Sequence, residues 1–322
     1  MKINKLSDNF TPVNEGIFFG IDTEEESATD LVVEILELST EEVVATQLLR
    51  NVCSATVNIA PYVEHFAELT PSPHRQITFS EAPSAAYKIR VGDIESEEVI
   101  VSVNRSKIGS SPALLTSFPL TRRIAHGEID EVLILTNKGK MVYAEVEADD
   151  GEILDFAYLS TTGATILTIS PEEFDEATKS FEVTLYCEGE ILGTLRYIIA
   201  LPTKNTTRLA WLSESGAIER YTFPTSHKTT LTAKKRSFMT GAGLCTTHSR
   251  AKQLISLSSR FESRATIEAL AQIVASPMVW VENGGCYELV EVTTSEIDYN
   301  LFDEPSHIHF NVCLTKKEVA LW

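Results

Sequence analysis

From Val132 to Leu159 the chain reads VLILTNKGKMVYAEVEADDGEILDFAYL, three short apolar runs divided by two glycine-bearing turns. The runs at 132–135, 141–146 and 153–159 are too short for ordinary helices, and each predicts a strand. Asn137-Lys138-Gly139 and Asp149-Asp150-Gly151 predict tight turns, because glycine supplies the positive φ that a hairpin turn needs. The stretch therefore predicts two successive hairpins, and an antiparallel β fold around them.

The same rhythm extends both ways. Runs at 166–169, 181–187 and 192–201 follow, and runs at 16–21, 31–38, 43–57, 87–91 and 99–103 precede. Their spacing predicts sandwiches. The polar stretch from Asn104 to Pro112 (NRSKIGSSP) breaks the rhythm and predicts a domain boundary.

The last third differs. A strand is predicted over 254–261. Ser263 is a helix N-cap, and the helix runs to about Ala275 with Ile267, Leu270 and Val274 as its apolar stripe. Ser276-Pro277 stops it. Asn283-Gly284-Gly285 turns one strand at 279–281 into another at 287–292, and 307–314 closes a small sheet. The predicted fold is mainly β: two β-sandwich-like domains, 1–105 and 106–225, and then a small α+β domain, 226–322, with one helix on an antiparallel sheet.

Composition bounds the function. The 322 residues, 43% apolar and 23% charged, can build two or three cores. The 46 acids and 27 bases give a formal net charge of −19, which disfavours general nucleic-acid binding. Met1 to Phe10 has a basic start but no apolar run, so no secretory signal is predicted and cytoplasmic synthesis is expected. No apolar run is long enough for a membrane span. The cysteines at 53, 187, 245, 286 and 313 are scattered with no CxxC, which predicts reduced thiols.

Charge is unevenly spread. Residues 226–264 hold eight bases and one acid, whereas residues 1–105 hold 18 acids and seven bases. The bases Lys228, Lys234, Lys235, Arg236, Arg250 and Lys252 form a candidate interaction patch, which opposite potential would steer to an acidic surface. A solvated face is the plain alternative.

No motif carries chemistry beyond chance. Cys245 and His248 have a C-x2-H spacing, but a structural zinc needs four ligands, which would have to come from Cys286, Cys313, His307 or His309. His307 and His309 share one face of a strand with Asp303 and Glu304 upstream, and a half-exposed polar face explains them as well. Gly241-Ala242-Gly243 lacks the third glycine and the helix of a dinucleotide loop. Asp149-Asp150-Gly151 lacks the acid spacing of a calcium loop. No catalytic, cofactor or metal residues are assigned, and a non-enzyme is expected.

One segment is distinctive: Arg208-Leu209-Ala210-Trp211-Leu212-Ser213-Glu214-Ser215-Gly216-Ala217-Ile218-Glu219-Arg220-Tyr221-Thr222-Phe223. Physically it is a hairpin with its turn at Ser215-Gly216 and anchors at Trp211, Tyr221 and Phe223. It resembles a recurrent segment of β-rich, tail-like virion structural proteins of Bacteroidetes phages and prophages, with Ser213 and Arg220 departing from that pattern. Phe10 to Phe19 (FTPVNEGIFF) and Val57 to Val63 (VNIAPYV) are similar to the family's opening segments, Gly16 again departing. Leu257 to Phe261, the helix, Ser276-Pro277, Asn283-Gly284-Gly285 and Val292 to Ser295 are similar to its C-terminal module in order and spacing. The resemblance implies a non-enzymatic virion structural role, tail-associated, with copies of itself or other particle proteins as partners and the virion as final location. The alternative is a carbohydrate-binding or adhesion sandwich, which would need exposed aromatics, and the exposure of Trp211 and Trp280 separates the two.

Overall fold

The structure is a computed structural model that describes residues 1–25, 27–63, 69–72, 74–104, 112–201, 203, 205–224, 228–241, 243–297 and 305–315, with the backbone alone at 247–250 and 315. The chain is mainly β and antiparallel, with the strands of the described residues in five sheets. It divides into two compact units: Met1–Thr116, Leu120–Ile199 and Glu214–Ala217 in one, and Ser117–Pro119, Ala200–Ser213 and Ile218–Trp322 in the other.

The first unit holds two sandwiches. Its opening strands are β1 (Lys2–Lys5), β2 (Phe18–Asp22), β3 (Thr29–Glu37), β4 (Val43–Val52) and β5 (Ser54–Asn58). After the single-turn helix α1 (Ala60–Val63) come β6 (Thr78–Glu81), β7 (Ser84–Val91), β8 (Ile94–Glu95) and β9 (Val99–Ser102). One sheet runs β1-β2-β5, and the other β4-β3-β7-β8 with β9 also on β7. Alternate residues of a strand face opposite ways, so Phe19, Ile21 and Val57 from one sheet meet Val33, Ile35 and Ile89 from the other in a dry core.

The second sandwich adds β10 (Ala113–Leu115), β11 (Thr121–Ala125), β12 (Asp130–Leu135), β13 (Met141–Ala148), β14 (Ile153–Leu159), β15 (Ala164–Ile169), β16 (Ser180–Cys187) and β17 (Glu190–Ala200). Its sheets run β10-β12-β15-β6 and β11-β17-β16-β13-β14. Val132, Ile134 and Leu167 of one face Val142, Val146, Val183 and Leu195 of the other.

Two expectations about these sandwiches are corrected. The turn at Asp149–Gly151 does join a hairpin, β13 to β14. The turn at Asn137–Gly139 does not: β12 pairs with β10 and β15, and β13 pairs with β14 and β16, so this loop crosses from one sheet to the other. The amides of Thr136 and Gly139 bond to the carbonyls of Gly163 and Ser160, at 2.7 and 2.8 Å, and not across a strand pair. Every residue of β12 is buried while β13 alternates, which suits a central strand in one sheet and a half-exposed strand in the other. The boundary expected at 105 also fails to isolate 1–105, because β6 leaves the first sandwich and pairs with β15. The predicted linker falls mostly on 105–111, outside the described residues.

The second unit is built on one seven-stranded sheet. Its strands are β18 (Thr207–Leu212), β19 (Ile218–Phe223), β20 (Lys228–Thr240), β21 (Gly243–Ser258), β22 (Val279–Asn283), β23 (Cys286–Val292) and β24 (His309–Thr315), with helix α2 (Arg264–Ala275) between β21 and β22. The order is β19-β18-β22-β23-β24-β21-β20. Ser263 caps α2 as its Oγ accepts from the Thr266 amide. The buried stripe is Ile267, Leu270 and Ile273; Val274, expected there, is only half-buried near the helix end.

The boundary expected at 225 moves to about 200. The hairpin β18–β19 pairs through β18 with β22, Trp211 opposite Val279, so Thr207–Leu212 and Ile218–Phe223 belong to the C-terminal sheet. Its side chains supply that core: Leu209, Trp211 and Phe223 pack with Leu270, Val281 and Phe310. Trp211 and Phe223 are fully buried and Tyr221 partly so, which makes the hairpin an anchor of the core.

Candidate functional site

The six basic positions fall on or beside one hairpin, β20–β21, which sequence patterning leaves largely unassigned. Thr229, Thr230 and Thr232 favour extended backbone through their β-branching. Gly243, at φ +116°, completes the turn, where the Thr240 hydroxyl donates to the Gly243 carbonyl at 2.7 Å. Among the described residues the ribbon continues past its sheet. β24 pairs with β21 only over Lys252–Ser258, ending at Thr315 opposite Lys252. Beyond that point, among the described residues, Ala233–Thr240 and Gly243–Ala251 pair only with each other. Eight residues of extended strand project about 27 Å.

Register fixes what this arm displays. Lys234 lies opposite Arg250, Lys235 opposite Ser249 and Arg236 opposite His248. The pairing shifts between Arg236 and Ser237, leaving Thr247 as an extra residue on β21, a bulge that bends and twists a ribbon. Lys228, Lys234 and Arg236 alternate onto one face, and Lys235 onto the other. All four are exposed. Lys252 is exposed and 3.3 Å from Glu291. For Arg250 the structure gives only its place in the ladder.

Beyond the bases the tip is apolar. Phe238 is 48% exposed, Met239 75% and Leu244 72%, and Leu231 lies exposed near the base. These were missed by sequence reasoning. Their signal was the pair of short apolar runs, Phe238-Met239 and Leu244-Cys245, on either side of Gly241–Gly243, which reads as a hairpin once the phosphate-loop reading is set aside. A two-stranded ribbon exposed on both faces has little to hold it, and exposed apolar side chains at its end imply a surface that covers them.

The other candidates are not brought together. Cys245 is exposed on β21, Cys286 is exposed at the start of β23, and Cys313 is buried in β24. His307 precedes β24 and lies against Phe261, ring centroids 5.0 Å apart, while His309 Nδ1 bonds to Ser258 Oγ at 2.8 Å. Asp303 and Glu304 lie outside the described residues. Among the described residues no group of three or more His, Cys, Asp or Glu could hold a metal ion. A groove beside Val32, Glu34, Arg90 and Asp93 holds a cation already compensated, since Arg90 is bound to Glu34 at 2.6 Å. Trp211 and Trp280 are both buried. No described helix is long and apolar enough to cross a membrane.

No family profile and no curated protein matches this chain. Comparison with solved structures returns β-sandwich proteins at a low level. The FN1–FN3 domains of chicken CNTN1 are 9% identical over 79% of this chain and 91% of that chain, with a TM-score of 0.20. Dpr2 Ig1–Ig2 in complex with DIP-Theta Ig1–Ig3 is 8% identical over 98% and 89%, at 0.19. A marsupial T cell receptor is 7% identical over 99% and 98%, also at 0.19. Scores of this size carry no functional argument.

Proposed function

We propose that this protein is a non-enzymatic structural subunit that assembles through its β20–β21 arm, and that the assembly is a phage or prophage particle, tail-associated. The observation that carries the reading is the arm itself: a basic ribbon with an apolar tip, projecting from a chain of net charge −19. The resemblance of Arg208–Phe223 and the collinear segments to tail-like virion proteins supplies the particle. On this reading the chain is made in the cytoplasm and incorporated into the virion, with other copies or other particle proteins as partners.

A carbohydrate-binding role finds less support, since Trp211 and Trp280, which would serve as sugar platforms, are both buried in the second unit. The test is to replace residues 233–251 with a two-residue turn. The shortened chain is expected to keep its melting temperature and lose association, measured by sedimentation velocity. For the particle, the chain is expected in the mass spectrum of purified virions from a producing strain. An arm-less chain that assembles like wild type would overturn the assembly reading.

A further inference from the structure

We propose that the arm of one copy lies along the outer face of the β13–β14–β16–β17 sheet of a second copy, apolar tip on the apolar end of that face and basic stem on its acidic end. The proposal rests on the assembly reading above and names the surface that receives the arm.

The receiving face is graded in composition, and the strand register shows how. At one end Met141 lies directly opposite Leu159, and both are about half exposed. The next rank across the sheet is Ala157, Tyr143, Tyr186 and Ile191, each paired with its neighbour. The Tyr143 and Tyr186 rings sit 5.9 Å apart, and Ile191 is 64% exposed. One rank further along, the composition changes. Asp155 faces Glu145, and then Glu147 faces both Ile153 and Glu182. Arg196, beside Glu182 at 3.8 Å, is the one base in these ranks. An apolar and aromatic end thus passes into an acidic end along the strand direction.

The arm has the same grading with the opposite charge. On the face that carries Lys234 and Arg236 the tip residue is Phe238, while Lys235, Met239 and Leu244 lie on the opposite face, and it is the Phe238 face that meets the sheet. From Phe238 back to Lys234 is four residues, about 13 Å of extended chain. From Tyr143 to Glu147 is also four residues. Apolar groups meet apolar groups and cations meet carboxylates at the same spacing, the arrangement that fixes orientation as well as affinity. Other apolar outer positions, such as Val32 and Leu48 on the first sandwich, lie beside Glu34 and Glu95, whose carboxylates are already bound to Arg90 and Lys88, each at 2.6 Å.

Arm and face are different surfaces, so each copy uses both and the contact is heterologous. Rings or filaments follow, not two-fold dimers.

The test is a charge-exchange cycle read by sedimentation velocity of the full chain at 50 mM and 500 mM salt. Variant one carries K234E, K235E and R236E. Variant two carries Glu145→Lys, Glu147→Lys and Glu182→Lys. Each alone is expected to weaken self-association about tenfold or more, and an equimolar mixture of the two is expected to restore hetero-association. High salt is expected to weaken the wild type as screening shortens to a few ångströms. All of these positions are exposed except Glu145, which is half-buried, and unchanged circular dichroism and melting confirm that the variants fold; a second pair, Phe238→Asp and Met141→Asp, tests the apolar end without altering the bases. Arm variants that weaken association while the face variants neither weaken nor rescue it would overturn this placement and leave the assembly reading standing. A wild type that stays monomeric at every concentration, or that pellets with anionic vesicles or duplex DNA but not with itself, would overturn both.

Discussion

The guanidinium of Arg122 and the carboxylate of Asp130 meet at 2.6 Å inside the second sandwich, with both side chains more than nine-tenths buried. Arg122 also reaches the Thr116 hydroxyl, and Asp130 accepts from the Tyr197 hydroxyl at 2.9 Å and the Glu131 amide at 3.0 Å. A pair so enclosed does not lower the energy of the fold by much over an apolar pair of the same shape. Removing one partner is another matter, since it strands a charge where no water can reach it. Asp130→Ala is expected to cost about 3–5 kcal/mol. Replacing both residues with apolar ones is expected to recover most of that, with urea unfolding as the measurement. Equal losses from the single and double variants would contradict the account.

Trp211 anchors the second unit, packed against Phe118 at a centroid distance of 5.6 Å and fully buried. Truncation leaves a large cavity, so Trp211→Ala is expected to cost about 3–5 kcal/mol. Trp211→Phe keeps much of the ring contact and removes an indole N–H that has no hydrogen-bond partner among the described residues, so its cost is expected to be smaller. Denaturant midpoints of the two variants separate these effects.

Phe79 tests the strand that crosses between sandwiches. It sits on β6 opposite Leu167 of β15 and stacks on Tyr158 at 5.8 Å. Phe79→Ala is expected to speed amide exchange across Ala164–Ile169, while the amides of β3 in the first sandwich keep their protection. Equal acceleration in both places would mean that the two sandwiches open as one unit.

This crossing strand also marks the limit of sequence reading. Alternation, turns and the Ser263 cap are local signals, and they located most strands and the helix. Partner choice is not local. Nothing in Thr78–Glu81 distinguishes pairing with β15 from pairing within 1–105, and nothing in Asn137–Gly139 distinguishes a hairpin from a step between sheets. Trp211 was legible as a core anchor but not as the property of the C-terminal sheet, because its partner Val279 lies 68 positions on in the chain. The bases of the arm were visible as composition. Their place on one hairpin was not, since it depends on the pairing of β20 with β21.

Tyr143 gives a pH prediction on the outer face of the second sandwich. Its hydrogen bond to Asp155 leads the causes that raise its hydroxyl from 10.0 to about 12, with burial and the charges of Asp155 and Glu145 adding to it. The folded chain therefore holds this proton more tightly than the unfolded chain does. The associated stability is fully present below pH 10.0 and is lost as pH rises through about 12. Carbon-13 resonances of labelled tyrosine are expected to show Tyr143 titrating near 12, and Asp155→Asn is expected to bring it down toward 10.0. A wild-type Tyr143 that titrates near 10 would remove the hydrogen bond from the account.

The arm makes its own prediction about dynamics, independent of which surface receives it. Residues 233–239 are exposed on both faces of the ribbon, and among the described residues no third strand pairs with Ala233–Thr240 or Gly243–Ala251. Opening such a ribbon exposes little new apolar surface, so its free energy of opening is far below that of β18 and β22, whose residues lie in the core. In a dilute, monomeric sample the arm amides are expected to exchange orders of magnitude faster than those of Leu209–Trp211. At concentrations where the chain associates, a docked arm loses access to water on at least one face, and the same amides are expected to slow. Comparing exchange at two concentrations, with K234E, K235E and R236E as the control that should not slow, isolates docking from crowding. Arm amides that are already protected in the monomer would mean that the ribbon is covered within its own chain, and the free arm on which assembly depends would not exist.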